Sequence, residues 1–374
     1  MKQIIYADNA ATTKLDIEAF EAMKPFLLED YSNASQPYSF SRGAKKALKE
    51  ARQTIAACIN ADPDEIFFTS GGSESDNWAI KGVAYNGEQG AIVTSEIEHH
   101  AVLRACEDVE RNGIAVAYVK PNTEGVIYPE ILQDYITDNT KMVSIMFVNN
   151  EIGTVEPIKE LAEIAHKHGA VFHTDAVQAV GHIHIDVKEL GIDMLSASAH
   201  KFNGPKGIGF LYIRKGTAIR TLINGGAQEF GIRAGTENVA AIIGMAQALK
   251  NNCDFIDENN RYVEHLEELL LKGLEGISFV RNGSDNHAKG IISLSFPEEE
   301  GETILHRLDL MGIMISTGSA CDSVNTQISH VLKAIRLDEI LARGTIRISL
   351  SKNNKVEEVE AIAKALRKVV ARKA

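Results

Sequence analysis

Between about residues 40 and 215, short β-rich runs alternate with stretches of helical periodicity, and no other feature constrains the fold of this chain as strongly. Strands joined through helices can only run parallel, so a mostly parallel sheet covered by helices follows. Ala44, Ala47, Leu48, Ala51, Ile55, Cys58 and Ile59 recur at three-and-four spacing, which places Cys58 on the core face of a helix. Strands are expected over residues 65–69, 91–94, 114–119, 142–148, 171–174, 194–197 and 208–213. In such sheets ligands bind beyond the carboxyl ends of the strands, so the residues that follow each strand are the ones to inspect.

After about residue 236 the pattern changes. A long helical stretch runs through Leu270, strands follow near residues 291–296 and 345–350, and residues 355–373 have the pattern of an amphipathic closing helix. At 374 residues the chain exceeds the size at which one core usually stops growing. A second, smaller α+β domain is therefore expected.

Charge narrows the range of partners. The chain has 39 Lys and Arg against 51 Asp and Glu, a net charge of −12, which gives no broad attraction to phosphate backbones or anionic lipid. No direct nucleic-acid binding is expected. No run of about 18 apolar residues suggests a membrane span. The apolar stretch in residues 1–9 is too short for a signal peptide, so a cytoplasmic setting is expected. The four cysteines, Cys58, Cys106, Cys253 and Cys321, lie far apart in the sequence with no Cys-x-x-Cys pair.

The strand over residues 65–69 runs into Ser70-Gly71-Gly72-Ser73-Glu74-Ser75-Asp76-Asn77, a small-residue turn that opens a helix. Backbone N–H groups and hydroxyls there suit a phosphate, and the same residues make an ordinary capped turn; both readings stand. The strand over residues 171–174 ends in Asp175 with Gln178 three residues later, and Ser198-Ala199-His200-Lys201 follows the strand over residues 194–197. An acid and a lysine thus lie beyond neighbouring strands. A lysine so placed can bind an aldehyde cofactor covalently, and a buried carboxylate can keep a pyridine nitrogen protonated so that the ring accepts electrons. Taken singly, Asp175 is a common helix cap and Lys201 a common solvated side chain. The glycines of residues 204–209 lack the dinucleotide fingerprint and read as a turn. Residues 315–323 surround Cys321 with small polar groups, which suits an accessible reactive thiol and an inert loop thiol alike.

Together these stretches resemble the NifS/IscS-type cysteine desulfurases, class V aminotransferase-group members of the fold-type-I pyridoxal phosphate (PLP) enzymes. The resemblance spans nearly the whole chain. It is carried by residues 6–13, Tyr-Ala-Asp-Asn-Ala-Ala-Thr-Thr, by residues 69–77, by Glu98-His99, and by residues 149–153, Asn-Asn-Glu-Ile-Gly. It continues in residues 175–178, His200-Lys201, residues 225–229 and 233–238, the Cys321 loop and Arg347. The fold it implies is a large PLP-binding domain over residues 14–250 with a mostly parallel sheet, and a small α+β domain that joins residues 1–13 to residues 251–374 and carries the cysteine loop.

Residue by residue, the resemblance implies that Lys201 holds PLP covalently, Asp175 pairs with the pyridinium nitrogen, Gln178 bonds the ring oxygen and His99 stacks on the ring. The Gly72-Ser73 turn, Ser198 and His200 would hold the phosphate, with Thr236 reaching it from the partner subunit of a homodimer. Asn150 and Arg347 would grip the carboxylate of L-cysteine, a task that suits a planar guanidinium fork. His99 and Lys201 would carry protons, and Cys321 would take the sulfur as a persulfide for a sulfur-acceptor protein, releasing alanine.

Neither His99-His100 nor His182-x-His184-x-Asp186 reads as a metal site, since the second group alternates on a short extended segment and His99 already has a role. The sequence departs from the family pattern at Ser73, usually threonine, at Ala227, often glycine, and at Tyr38 and Ser41, where histidine and glycine are common. In the cysteine loop Asp322 replaces a usual threonine, and residues 326–329, Thr-Gln-Ile-Ser, stand where a Glu-Pro-Ser turn is frequent. These changes bear on partner docking and loop behaviour. Two alternatives remain open here: another PLP activity of the same group (selenocysteine lyase, cysteine C–S lyase or aminotransferase) and a non-catalytic scaffold that kept the fold.

Overall fold

The computed structural model describes residues 4–87, 90–317 and 328–370. Twelve strands are assigned among them: β1 (Ile5–Tyr6), β2 (Ile66–Thr69), β3 (Ala91–Ser95), β4 (Val116–Val119), β5 (Thr140–Ser144), β6 (Val171–Asp175), β7 (Met194–Ser198), β8 (Gly209–Ile213), β9 (Val280–Asn282), β10 (Ile291–Ser295), β11 (Ile313–Met314) and β12 (Thr345–Ser349). Seven form the main sheet in the order β2-β8-β7-β6-β5-β3-β4. The β3–β4, β3–β5, β5–β6 and β6–β7 pairs are parallel, whereas β8 is antiparallel to both β7 and β2. Two reversals restore direction, so six strands share one polarity and only β8 opposes them. The ends of β2, β3, β5, β6 and β7 consequently open on one edge.

Apart from the edge strand β4, which is mostly half-buried, these strands are buried on both faces, as a sheet with helices on each side requires. Phe68, Val93, Val143, Phe172, Leu195 and Phe210 belong to one cluster, while Phe67, Ile92, Met142, Met194 and Leu211 face the opposite one around Trp78. A third cluster joins Ile5 and Ala7 to apolar residues between 263 and 369, with the antiparallel sheet β12-β10-β9 as its floor. The amino-terminal strand β1 pairs there with β11 in parallel.

Several boundaries differ from the sequence reading for local reasons. The strand expected over residues 114–119 begins at Val116 because Ile114 donates its N–H to Val109 O, closing the preceding helix. The strand expected over residues 142–148 is Thr140–Ser144; beyond it Ile145 and Phe147 still donate to His173 O and Asp175 O, then the chain turns at residues 149–152. The long helical stretch is two helices, Val239–Asp254 and Ile256–Gly273, broken at the exposed Phe255. Residues 182–186 are not a strand. His182 Nε2 meets Lys201 O at 2.9 Å, and Asp186 Oδ1 accepts the N–H groups of Lys188 and Glu189 to start a turn. Cys58, expected on the core face, is only half-buried.

Gly209 shows how tightly β8 lies against the site. A Cβ there would strike Ala197 O across the sheet and come within 2.7 Å of Gly71 Cα. Any side chain would push the β2 turn off the sheet edge.

Candidate active site

The edge where the strands end encloses a cavity of about 860 Å³, its open mouth included. Gly72, Ser73, His99, Asn150, Asp175, Gln178, Ser198, His200, Lys201 and Arg347 all line it. Six pieces of the frame supply them: the turn after β2, the turn after β3, the loop after β5, the end of β6, the end of β7 and β12. Thr236 is exposed and is not among the described residues lining the cavity of its own chain. Cys321 lies outside the described residues. A neighbouring cavity of about 670 Å³ shares Gln178 and Lys201 but has no carboxylate among its described lining residues, so the acid–base chemistry belongs to the first.

Lys201 sits at the end of a short 3-10 turn, Ala199–Lys201, that follows β7 directly. Its Nζ donates to Ala10 O at 2.6 Å and Ala11 O at 3.0 Å. The amino-terminal segment is in turn laced to this turn, since Thr13 donates from both N and Oγ1 to His200 O. Gln178 Nε2 also donates to Ala10 O, at 2.9 Å.

Asp175 ends β6 and accepts the Val177 N–H at 2.9 Å. Burial pushes its carboxyl above the usual range, against the pull of His99, that N–H and Lys201. A carboxyl in this setting is short of positive charge, and a protonated ring nitrogen is the partner that would keep it ionised. Behind it lies a second fully buried carboxyl, Asp76, raised by burial and by Asp175, with Oδ1 lacking a hydrogen-bond partner among the described residues. His173 Nε2 is 3.7 Å from Asp76, but burial takes this imidazole down to about 3. The contact is therefore not an ion pair. The neutral His173 bonds the Ser144 and Ser196 hydroxyls instead, at 2.8 and 3.0 Å.

His99 caps the helix His100–Arg111, its Nδ1 accepting the Ala101 N–H at 3.1 Å. Because Nδ1 is an acceptor, the neutral ring carries its proton on Nε2. Burial is the largest influence and lowers the His99 pKa. The preceding Glu98 is fully buried, with Oε1 accepting from Ser95 Oγ and Met146 N, and so ties the ends of β3 and β5 together.

The helix Gly72–Ala84 begins at the cavity wall. The first N–H groups of a helix have no partner within it and carry its positive dipole end, so Gly72 and Ser73 offer an anion site there. A Cβ on Gly72 would lie 2.6 Å from Val177 Cγ2, so a larger residue would close this end of the cavity. His200, lowered to about 4 by burial and by Lys201 and Lys206, is neutral and within 3.1 Å of Thr12 Oγ1. With the Ser73 and Ser198 hydroxyls, this donor set suits a phosphate. The cavity thus brings together donors that suit a phosphate, a buried acid that suits a protonated ring nitrogen, and an amine, a set that fits PLP.

Arg347 is 3% exposed. Its Nη1 donates to Asn150 O and its Nη2 to Asp8 Oδ1, both at 2.8 Å, while Nε is buried with no partner among the described residues. An orphaned donor on a guanidinium facing a cavity is what a bound carboxylate would satisfy. We expect Arg347→Ala to keep the cofactor spectrum while kcat/KM for cysteine falls about 100-fold, mostly through KM, as loss of one partner of a buried charge pair entails. Arg347→Lys should recover only part of the loss, because it keeps charge without the fork. Steady-state kinetics with both variants check this.

Sequence reasoning did not single out Asp8, Asp76, Glu98 or His173. Each lies in or beside a stretch already noted, but its partner is remote: Arg347 for Asp8, Met146 for Glu98.

The fold and this donor set define a PLP-dependent enzyme built on a mostly parallel sheet. Residues 5–362 match the family model for aminotransferase class-V, and the chain belongs to that family, whose members use PLP. It is 46% identical over 377 residues to the protein named cysteine desulfurase IscS of Clostridium botulinum (strain Hall), covering 99% of this chain and 95% of the relative. Among solved structures, a NifS-like protein aligns with a TM-score of 0.93 at 37% identity, covering 99% of this chain and all of the other. A structure described as SspA in complex with cysteine aligns with a TM-score of 0.85 at 38% identity, covering 95% of this chain and all of the other. Among the described residues no helix is long and apolar enough to cross a membrane.

Proposed function

We propose that this chain, a PLP-dependent cysteine desulfurase, moves the sulfur of L-cysteine onto Cys321 as a persulfide and passes it to a sulfur-acceptor protein in the cytoplasm. The observation that carries the reading is the meeting of Lys201, Asp175, His99 and Arg347 in one cavity, the last with a buried Nε that has no partner among the described residues.

PLP, when bound, supplies an electron sink for the charge released at the substrate α-carbon. The protein does the rest. Asn150 and Arg347 orient the carboxylate, and Lys201, which would hold the cofactor, is the amine that removes the α-proton. The Cys321 thiolate then attacks the substrate sulfur: the carbon–sulfur bond breaks with its electron pair left on carbon, a sulfur–sulfur bond forms, and the carbon skeleton leaves as alanine after taking up two protons, one at the β-carbon and one returned to the α-carbon. The His99 Nε2–H is the neutral donor that serves such a return. Alanine formed in step with protein-bound sulfane sulfur is the expected result of incubation with L-cysteine alone. Pyruvate and free sulfide would instead assign C–S lyase chemistry, and dependence on a keto acid would assign transamination.

The site is completed in this reading by a second subunit, with Thr236 reaching the partner's phosphate. The loop that carries it is anchored within its own chain, since Arg233 makes a double hydrogen bond to Glu74 at 2.8 and 3.0 Å, and Thr236 itself faces outward. Sedimentation of active enzyme should give a dimer, and Thr236→Ala should weaken PLP retention in both sites. A fully active monomer would remove the shared site.

A further inference from the structure

Two of the four cysteines, remote in sequence, meet in the fold. Cys58 ends the helix Arg42–Cys58, and Cys253 lies in the last turn of the helix Val239–Asp254, which packs along it. The two thiols lie close enough that each is the first influence on the other's ionisation, both are half-buried, and both rest on the edge of the large core cluster. Cys106, by contrast, is fully buried. Two neighbouring thiols at a partly open helix–helix seam are a different chemical object from either thiol alone. Closing to a disulfide requires the sulfurs to approach to about 2.05 Å.

Each thiol is the main influence on the other's ionisation, Cys58 lowering Cys253 and Cys253 raising Cys58. Loss of a proton from the pair is thus directed toward Cys253, and the thiolate is the reactive form. The seam also adjoins the cofactor site. Asn252, the neighbour of Cys253, donates from Nδ2 to Phe202 O at 2.8 Å, next to Lys201, and accepts from Lys352 Nζ at 2.9 Å.

We propose that Cys58 and Cys253 form a reversible dithiol–disulfide couple whose oxidant is a peroxide. The Cys253 thiolate attacks one peroxide oxygen, the oxygen–oxygen bond breaks, and the product is a sulfenic acid with hydroxide, which takes a proton to become water. The Cys58 sulfur then displaces the sulfenic hydroxyl: a sulfur–sulfur bond forms and a second water leaves with the Cys58 proton. In sum two thiols and hydrogen peroxide give one disulfide and two waters, the sulfurs losing the two electrons that peroxide gains. A low-molecular-weight thiol or dithiol reverses it. The disulfide would join the carboxyl-terminal ends of two core helices, one hydrogen bond from the backbone beside the cofactor lysine.

The test uses PLP-loaded full-length protein, wild type and Cys321→Ala in parallel, so that the loop thiol cannot mask the result. Each is exposed to hydrogen peroxide, alkylated and mapped by mass spectrometry. The expected result is joint loss of alkylation at Cys58 and Cys253, a linked peptide containing both and lighter by two hydrogens, and full recovery with dithiothreitol. The linked peptide should be absent from Cys58→Ser and Cys253→Ser. Should either serine variant fail to fold, phenylarsine oxide offers a second measurement on unaltered protein. This dithiol reagent should protect Cys58 and Cys253 together from alkylation and leave Cys106 as it was. Undiminished alkylation at both positions after peroxide, a sulfinic acid at one of them alone, or linkage of either to a cysteine other than its partner would overturn the proposal.

Discussion

Lys201→Ala is expected to produce a folded, colourless protein whose turnover of cysteine is lower by about 10,000-fold or more. The yellow colour of such an enzyme comes from the conjugated link between the cofactor aldehyde and one protein amine, and Lys201 is the one lysine among the described residues that line the cavity. In the proposed mechanism the same amine is also the base at the substrate α-carbon, so a single substitution would remove both the anchor and the proton carrier. Little structural damage should accompany it. The turn Ala199–Lys201 is held through backbone atoms, by Thr13 on His200 O and by His182 on Lys201 O, and these contacts survive truncation of the side chain. Loss of Nζ frees Ala10 O and Ala11 O, and Gln178 Nε2 still reaches the first. The visible absorbance spectrum, release of PLP on acid treatment, and a thermal melt beside wild type decide the matter. A yellow variant with wild-type turnover would show that another group holds the cofactor.

The amine and its acid were legible in the sequence for a definite reason. Both follow strands whose local pattern is strong, and parallel strands that end on one edge must bring their next residues together; β6 supplies Asp175 and β7 supplies Lys201 as their alternation with helices implies. Boundaries slipped where a backbone bond outside the strand mattered more than side-chain type, as at Ile114. The reversal of β8 was not visible, because a strand's own residues do not encode the direction of its neighbour. Nor was the anchoring of Lys201 by Ala10 and Ala11, which uses carbonyls that any residues would provide. The Asp8–Arg347 pair and the Cys58–Cys253 contact were hidden for a related reason. Each joins segments from opposite ends of a domain or of the chain, and periodicity reports which face a residue takes but not which distant residue it meets.

Cys321→Ala is expected to separate binding from sulfur transfer. The variant should stay yellow and change its spectrum when cysteine is added, because every residue that holds cofactor and substrate carboxylate lies elsewhere. Alanine release and protein-bound sulfane sulfur should nonetheless fall by at least about 1,000-fold, since a positioned nucleophile is worth several orders of magnitude over one supplied from solution. The described residues on either side of the cysteine segment are tied to the site. Ser316 exchanges backbone hydrogen bonds with Arg347 at 3.0 and 2.7 Å, while Ser329 Oγ donates to Glu151 Oε2 at 2.6 Å and His330 Nε2 meets Glu98 O at 3.0 Å. The flank nearer the thiol in sequence thus shares its backbone pairing with the arginine proposed to grip the substrate carboxylate. None of the other three thiols is a ready substitute: Cys106 is buried with its pKa pushed far up, and Cys58 and Cys253 engage each other. Mass spectrometry after brief exposure of the wild type to cysteine should place the added sulfur, about 32 Da, on the peptide containing Cys321. The acidic neighbour Asp322 should raise the thiol pKa, so persulfide formation should speed up as pH rises toward that pKa, and Asp322→Asn should move the rise to lower pH. Sulfur found on Cys58 or Cys253, or alanine released by Cys321→Ala at the wild-type rate, would leave the PLP chemistry standing and refute Cys321 as the acceptor of the sulfur.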